Sequence, residues 1–221
     1  MNKELLLKLV DHTLLSQTAT EKDILMTVDD AIKYNTATVC IPNCYVKAAA
    51  EHSNGRMKIV TLAGFPNGNI TTKVKCADAF YAIEDGASEI DMVANLGMLR
   101  SGNYKYVLDE IVTVKKVCDK HILKVIIETC LLSKDEKIEM CKIVSQSGAD
   151  FIKTSTGFST GGATFEDIAL FAANVRSGLG IKAAGGIRSF EDAQKFVDLG
   201  ATRLGTSALV KLMKCEEPRN Y

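Results

Sequence analysis

Gly148-Ala149-Asp150-Phe151-Ile152-Lys153-Thr154-Ser155-Thr156-Gly157 joins the end of a helical pattern to a short apolar strand and sets a lysine where that strand stops. Phe151 and Ile152 have the character of a buried strand, and the hydroxyl residues and glycine that follow Lys153 delay any helix. Burying an unpaired ammonium is costly, so a lysine at the end of a core strand is either solvated at a rim or kept neutral for chemistry. Taken alone, the stretch fits a lysine snorkelling to solvent as well as it fits a reactive amine. The Gly-Ala step that opens it recurs at Gly86-Ala87 and Gly200-Ala201, each time after a helical pattern and before a strand. One unit is being repeated.

Working outward, a short apolar helix over residues 5–10 runs into an alternating segment at 11–15. Thr20 caps a helix whose buried stripe is Ile24, Val28 and Ala31 with Ile32, and a strand over 37–41 stops at Pro42. Further strands are predicted over 58–63, 89–93, 122–128, 151–153, 181–184 and 202–204. Between them lie helices over 45–52, 72–85 and 104–120, and helices opened by Ser133 with Glu136, Thr164 with Asp167, and Ser189 with Asp192. Gly178 and Gly180 are read as ending the helix before residue 181. A final helix lies near Leu209.

With the 11–15 segment included, eight strands alternate with helices at about 27 residues per unit. Alternation implies a parallel sheet built through right-handed crossovers. Eight units in 221 residues predict a single-domain (β/α)8 TIM barrel over 1–221, with a short N-terminal helix, rather than an open doubly wound sheet. Residues 214–221 are expected to form a mobile C-terminal tail.

The chain is 47% hydrophobic and 24% charged, and its 27 basic and 27 acidic residues cancel. That balance removes any global drive toward nucleic acid or an anionic membrane. The first residues do not read as a signal peptide, and no apolar run approaches the roughly 18 to 20 residues of a membrane span, so a cytoplasmic location is expected. Seven cysteines without a Cys-x-x-Cys pair, and three scattered histidines, give no zinc spacing. No metal is expected, and the thiols are read as reduced core residues.

In a barrel of this kind the C-terminal strand ends converge on one mouth, where active sites sit. Three strands carry charges there that a purely packed barrel would avoid: Asp91, Lys153 and Lys182. Alternation puts Glu89, Asp91 and Val93 on one face. An amine attacks a carbonyl only when unprotonated, and an ordinary lysine, with a pKa of about 10.4, is almost wholly protonated at neutral pH. A second ammonium and partial burial lower that value, while a carboxylate can carry protons to and from a developing hydroxyl. The three residues therefore suit Schiff-base chemistry, although a buried ion-paired triad joining three strands would use them too. Gly185-Gly186-Ile187-Arg188-Ser189 and Gly205-Thr206-Ser207 follow the last two strands and lead into helices. Such turns suit a phosphate group, although plain tight turns would use the same residues. Lys124, on the inward face with Ile126 and Glu128, is read as electrostatic support deeper in the barrel, with a solvated lysine as the alternative. Cys40, at a strand end, is either a packed thiol or open to reactive aldehydes.

Asp11-His12-Thr13-Leu14-Leu15, Glu89-Ile90-Asp91-Met92-Val93, Lys124-Val125-Ile126-Ile127-Glu128-Thr129, Asp150-Phe151-Ile152-Lys153-Thr154-Ser155-Thr156-Gly157 and Lys182-Ala183-Ala184-Gly185-Gly186-Ile187-Arg188 together resemble the deoxyribose-phosphate aldolases. The resemblance implies a metal-independent class I aldolase of deoxyribonucleotide catabolism, a lyase cleaving 2-deoxy-D-ribose 5-phosphate to D-glyceraldehyde 3-phosphate and acetaldehyde. It implies that Lys153 forms the Schiff base, that Lys182 depresses the pKa of Lys153 and relays protons, and that Asp91 donates and accepts them. Gly157, Gly185, Gly186 and Gly205 with Ser207 would hold the phosphate; where some relatives place a second serine after Ser207, this chain has Ala208. Some members end in a tyrosine that helps proton transfer, which makes Tyr221 a candidate. A homodimer is expected as the commonest soluble oligomer. A phosphosugar isomerase or epimerase on the same barrel, and a non-catalytic phosphosugar-binding protein, are the rival readings.

Overall fold

The computed structural model describes residues 1–216. Eight parallel strands close into a barrel in chain order: β1 (Val10–Thr13), β2 (Thr38–Cys40), β3 (Ile59–Ala63), β4 (Glu89–Val93), β5 (Ile122–Ile126), β6 (Phe151–Lys153), β7 (Gly180–Ala184) and β8 (Arg203–Thr206). The ring is completed by β8 pairing with β1, which sets Asp11 opposite Gly205. The helices are α1 (Lys3–Leu7), α2 (Glu21–Lys33), α3 (Val46–Ser53), α4 (Thr72–Glu84), α5 (Leu96–Arg100), α6 (Tyr104–Cys118), α7 (Lys134–Gln146), α8 (Phe165–Asn174), α9 (Phe190–Asp198) and α10 (Ala208–Glu216). The expected barrel is the fold observed.

Local chemistry explains the helix starts. Thr20 and Ser133 each form a capping box, with Asp23 and Glu136 respectively, so the side chain and the backbone of the cap are both satisfied. Thr164 and Ser189 cap α8 and α9 by accepting from the backbone N–H of Asp167 and Asp192, each at 3.0 Å. The main core lies between barrel and helices, where Ile24, Val28, Ile90, Val107, Ile152 and Phe171 are buried. Within the helix layer, the fully buried Lys75 of α4 donates to the carbonyl of Val93 and to Glu110 of α6, both at 2.8 Å, and so ties down the end of β4. Gly64, at φ 67°, leaves room for that lysine: a Cβ there would lie 2.8 Å from its Cε.

Several boundaries differ from the sequence reading. The first helix covers Lys3–Leu7, capped by Asn2, and Val10 belongs to β1. The fifth strand stops at Ile126; Glu128 turns into the left-handed region at φ 46° and leaves the inward row shared by Lys124 and Ile126. Gly180 ends no helix but opens β7. Its missing side chain admits the ring of Phe151, which a Cβ would approach to 2.3 Å. Helix α5 was not foreseen; it starts where Asn95 accepts from the N–H of Met98 at 3.2 Å. The expected tail at 214–221 begins inside α10, and Tyr221 lies outside the described residues.

Candidate active site

Strand register brings the charged residues to one interior. Lys153 on β6 is level with Lys182 on β7, and Asp91 on β4 with Lys124 on β5. All four are buried. Lys153 and Lys182 each donate to the same oxygen of Asp91, Oδ2, at 2.7 Å, and Lys124 donates to Oδ1 at 2.8 Å. The two lysines therefore share one compartment, separated by no more than a carboxylate oxygen's reach.

Below this layer the charges continue. Asp11 on β1 accepts from Lys182, and its Oδ1 accepts from Thr38 and from Arg203, each at 2.7 Å. Glu89 pairs with Lys124 at 2.5 Å and with Arg203 at 3.0 Å. Asp11 and Arg203 were not singled out in the sequence, and Glu89 was placed on the right face without a role. For Glu89 the signal was available, since a charge inside an apolar core strand is the feature that drew attention to Lys153.

The electrostatics separate the two lysines. Burial lowers the pKa of Lys153, Asp91 opposes the shift and Lys182 adds to it. Of the two effects that lower it, desolvation is the larger and the neighbouring cation the smaller. Burial acts on Lys182 as well, but the carboxylates of Asp11 and Asp91 overcome it and raise its pKa. Lys182 thus remains a cation where Lys153 is the easier amine to deprotonate. Burial would also push Asp91 up, yet Lys124, Lys153 and Lys182 together hold it well below the usual carboxylate range. Cys40 is buried beside Val60 and Leu62, and desolvation pushes its thiol up to about 11. It packs as a protonated thiol at neutral pH.

Lys153 opens onto a cavity of about 230 Å³ lined also by Gly157, Gly185, Gly205, Thr206 and Ser207. Gly157 and Gly185 have φ of 85° and 81°, conformations that suit glycine. Gly186 lies in the same turn at φ 80° but does not line the cavity. Gly205 makes room for the second lysine: a Cβ there would come within 3.2 Å of the Lys182 Cε. The two turns are tied together by Thr206, whose hydroxyl donates to the Ile187 carbonyl at 2.9 Å and accepts from the Ala208 N–H at 3.0 Å. The loop after β6 is held from the other side by Glu128, whose buried carboxylate accepts from the hydroxyl of Thr156 and from its N–H at 3.2 Å. Glu128, like Asp11, Glu89 and Arg203, is a residue of this site to which the sequence reading gives no role. Among the described residues, no group of three His, Cys, Asp or Glu side chains could hold a metal ion.

A closed barrel with a buried amine at its mouth, a carboxylate beside it and glycine turns around an open cavity is the layout of an enzyme of the (β/α)8 class. Comparison with known proteins narrows this. The chain matches the DeoC/LacD family aldolase model over residues 5–210 and belongs to that family. It is 56% identical over 209 residues to a deoxyribose-phosphate aldolase of Streptococcus agalactiae, covering 95% of this chain and 94% of the relative. Against one of Streptococcus pyogenes it is 55% identical over 218 residues, covering 98% of both. The tetrameric deoxyribose phosphate aldolase of Aeropyrum pernix superposes with a TM-score of 0.89 at 32% identity, over 96% of this chain and 91% of that one. The chain is therefore an aldolase, of the lyase class, and the isomerase and non-catalytic readings are not favoured.

Proposed function

We propose that this enzyme cleaves 2-deoxy-D-ribose 5-phosphate to D-glyceraldehyde 3-phosphate and acetaldehyde by a class I mechanism, through a Schiff base on Lys153 and without a metal. The observation that carries the reading is the buried Lys153 amine, 2.7 Å from Asp91 Oδ2 and facing a cavity bordered by the glycine turns. Unprotonated Lys153 adds to the C1 carbonyl of the open-chain sugar, and loss of water gives an iminium. Asp91, through water and Lys182, takes the C3 hydroxyl proton as the C2–C3 bond breaks, and the iminium receives the electrons as an enamine. Glyceraldehyde 3-phosphate leaves; protonation and hydrolysis of the enamine release acetaldehyde and regenerate the amine.

Each group has a stated part. Lys182 keeps its proton and so serves as the charged relay, while Asp91 holds both amines in register. Gly157, Gly185, Gly186 and Gly205 offer backbone to the substrate phosphate, with Ser207 at the start of α10; Gly186 would contribute from the edge of the cavity. Lys124 supports Asp91 from below. The chain forms one domain, works in the cytoplasm in deoxyribonucleotide breakdown, and assembles as a homodimer. Tyr221 assists proton transfer. Reduction by borohydride in the presence of acetaldehyde should fix an adduct on the Lys153 peptide. A modified residue anywhere else would overturn the assignment.

A further inference from the structure

The barrel interior holds seven ionisable groups that touch in one chain: Asp11, Glu89, Asp91, Lys124, Lys153, Lys182 and Arg203. Three are carboxylates. Three of the cations, Lys124, Lys182 and Arg203, are each paired with two carboxylates at 3.0 Å or less. Lys153 touches only Asp91, whose Oδ2 it shares with Lys182. It is the least compensated cation of the set. With Lys153 protonated the group carries one excess positive charge; with Lys153 neutral, cations and anions balance. A net charge enclosed in a low-dielectric interior is expensive, and the cheapest way to remove it is to take the proton from the group with the fewest partners.

We propose that Glu89 and Arg203, on the barrel floor and out of contact with the cavity, are positioning residues that set the charge of Lys153, because the interior is electrically balanced only when that amine is neutral. The inference rests on the Schiff-base reading above and extends it to two residues remote from the substrate. Other groups facing Lys153 do not alter the count. Cys40 on β2 is a neutral thiol, β3 presents no charged residue in Ile59–Ala63, and Asp11 on β1 and Lys124 on β5 are already included. Arg203 is also the member whose replacement the fold should accept, since its side chain is 13% exposed at the floor whereas Lys124 and Asp91 are at 0%.

The proposal assigns opposite signs to two substitutions. Arg203→Met removes a cation and leaves the interior one charge negative, so Lys153 should hold its proton to a higher pH. Glu89→Gln removes an anion, so Lys153 should lose its proton at a lower pH. Each shift should be about one pH unit, or tenfold in the neutral fraction below the midpoint, as expected for a unit charge acting across a partly screened interior. The double variant restores the balance and should titrate like the parent, as should Arg203→Lys. The charge of Lys153 is read by trace labelling with an amine-selective fluorodinitrobenzene reagent from pH 5 to 10, with the Lys153 peptide quantified by mass spectrometry.

Labelling does not depend on turnover, so the two claims separate. Failure of acetaldehyde and borohydride to modify Lys153 would sink the Schiff-base reading, and this inference with it. Successful trapping with unmoved or same-direction midpoints in the two single variants would sink this inference alone. Should one single variant not fold, the other must still move in its own direction and the double must still match the parent; a double variant displaced by a unit would refute the charge balance. A merely structural role for Glu89 and Arg203 predicts lower thermal stability with no movement of the midpoint.

Discussion

Lys153 differs from Lys182 in its partners rather than in its burial. Both amines are enclosed, yet one has two carboxylates and the other has a half share in a single oxygen. Replacing Lys153 by arginine keeps the positive charge and removes the proposed nucleophile. Steady-state assays should then show kcat lower by on the order of a thousandfold or more, the scale seen when a covalent nucleophile is lost. Retention of substantial activity would revive the isomerase reading. Gly205 makes a subtler case. Its α-carbon faces Ala184 and the Lys182 stem, so Gly205→Ala would set a methyl 3.0 Å from the Ala184 Cβ and 3.2 Å from the Lys182 Cε. Overpacking of this kind costs about 1 to 3 kcal/mol, and displacement of Lys182 should lower kcat more than it raises KM. A thermal melt with parallel kinetics checks both effects. The core lysines were legible because charge in an apolar strand is conspicuous; Arg203 was not, because its strand is short and no apolar run surrounds it.

The loop that follows β6 depends on an acid from the neighbouring unit. Glu128 leaves β5 in the left-handed region, a position that costs a non-glycine residue of order 1 to 3 kcal/mol, and places its carboxylate against the N–H and hydroxyl of Thr156. Glu128→Gln keeps the shape but weakens both bonds, which to a carboxylate are worth about 1.5 to 3 kcal/mol. KM for the phosphorylated sugar should rise by about tenfold with a smaller change in kcat, since Gly157 shifts while Lys153 remains anchored by β6. An unchanged KM would remove Glu128 from the account. Here the sequence misled for a physical reason. Residues 122–128 are continuously apolar apart from Lys124 and Glu128, and nothing in that composition marks where the ladder to β6 stops. The capped helix starts, by contrast, were readable residue by residue, because the cap and its N3 partner lie in one short window. Gly180 shows the opposite limit: its strand position is decided by Phe151, which is remote in sequence and adjacent only in the closed sheet.

Closure of the barrel concentrates acid sensitivity in the interior. His12 on β1 is buried with Nδ1 unpartnered, and desolvation, opposed by Asp30 and by the bond the ring donates to the Thr206 backbone carbonyl, lowers its pKa to about 4. Below its ordinary value of 6.5 the unfolded chain binds a proton that the folded chain refuses. Stability should therefore fall from pH 6.5 to about 4, by on the order of 3 kcal/mol. Asp11 and Asp91, held below the ordinary carboxylate value of 3.8, add a second loss as the pH falls through and beneath that value. Melting temperatures followed from pH 7 to 3 should decline in both windows, and a His12→Asn variant should flatten the first alone. The repeating units, their number and their parallel order were all readable from helix-strand rhythm, whereas the floor network was not, since it is assembled from residues of four different units. The parallel ring also has a practical side. Each helix that feeds a following strand ends at the rim opposite the mouth, and the turns there, such as Asn54-Gly55, where a Cβ on Gly55 would meet nothing within 4 Å, become natural handles for grafted peptides or surface tethers.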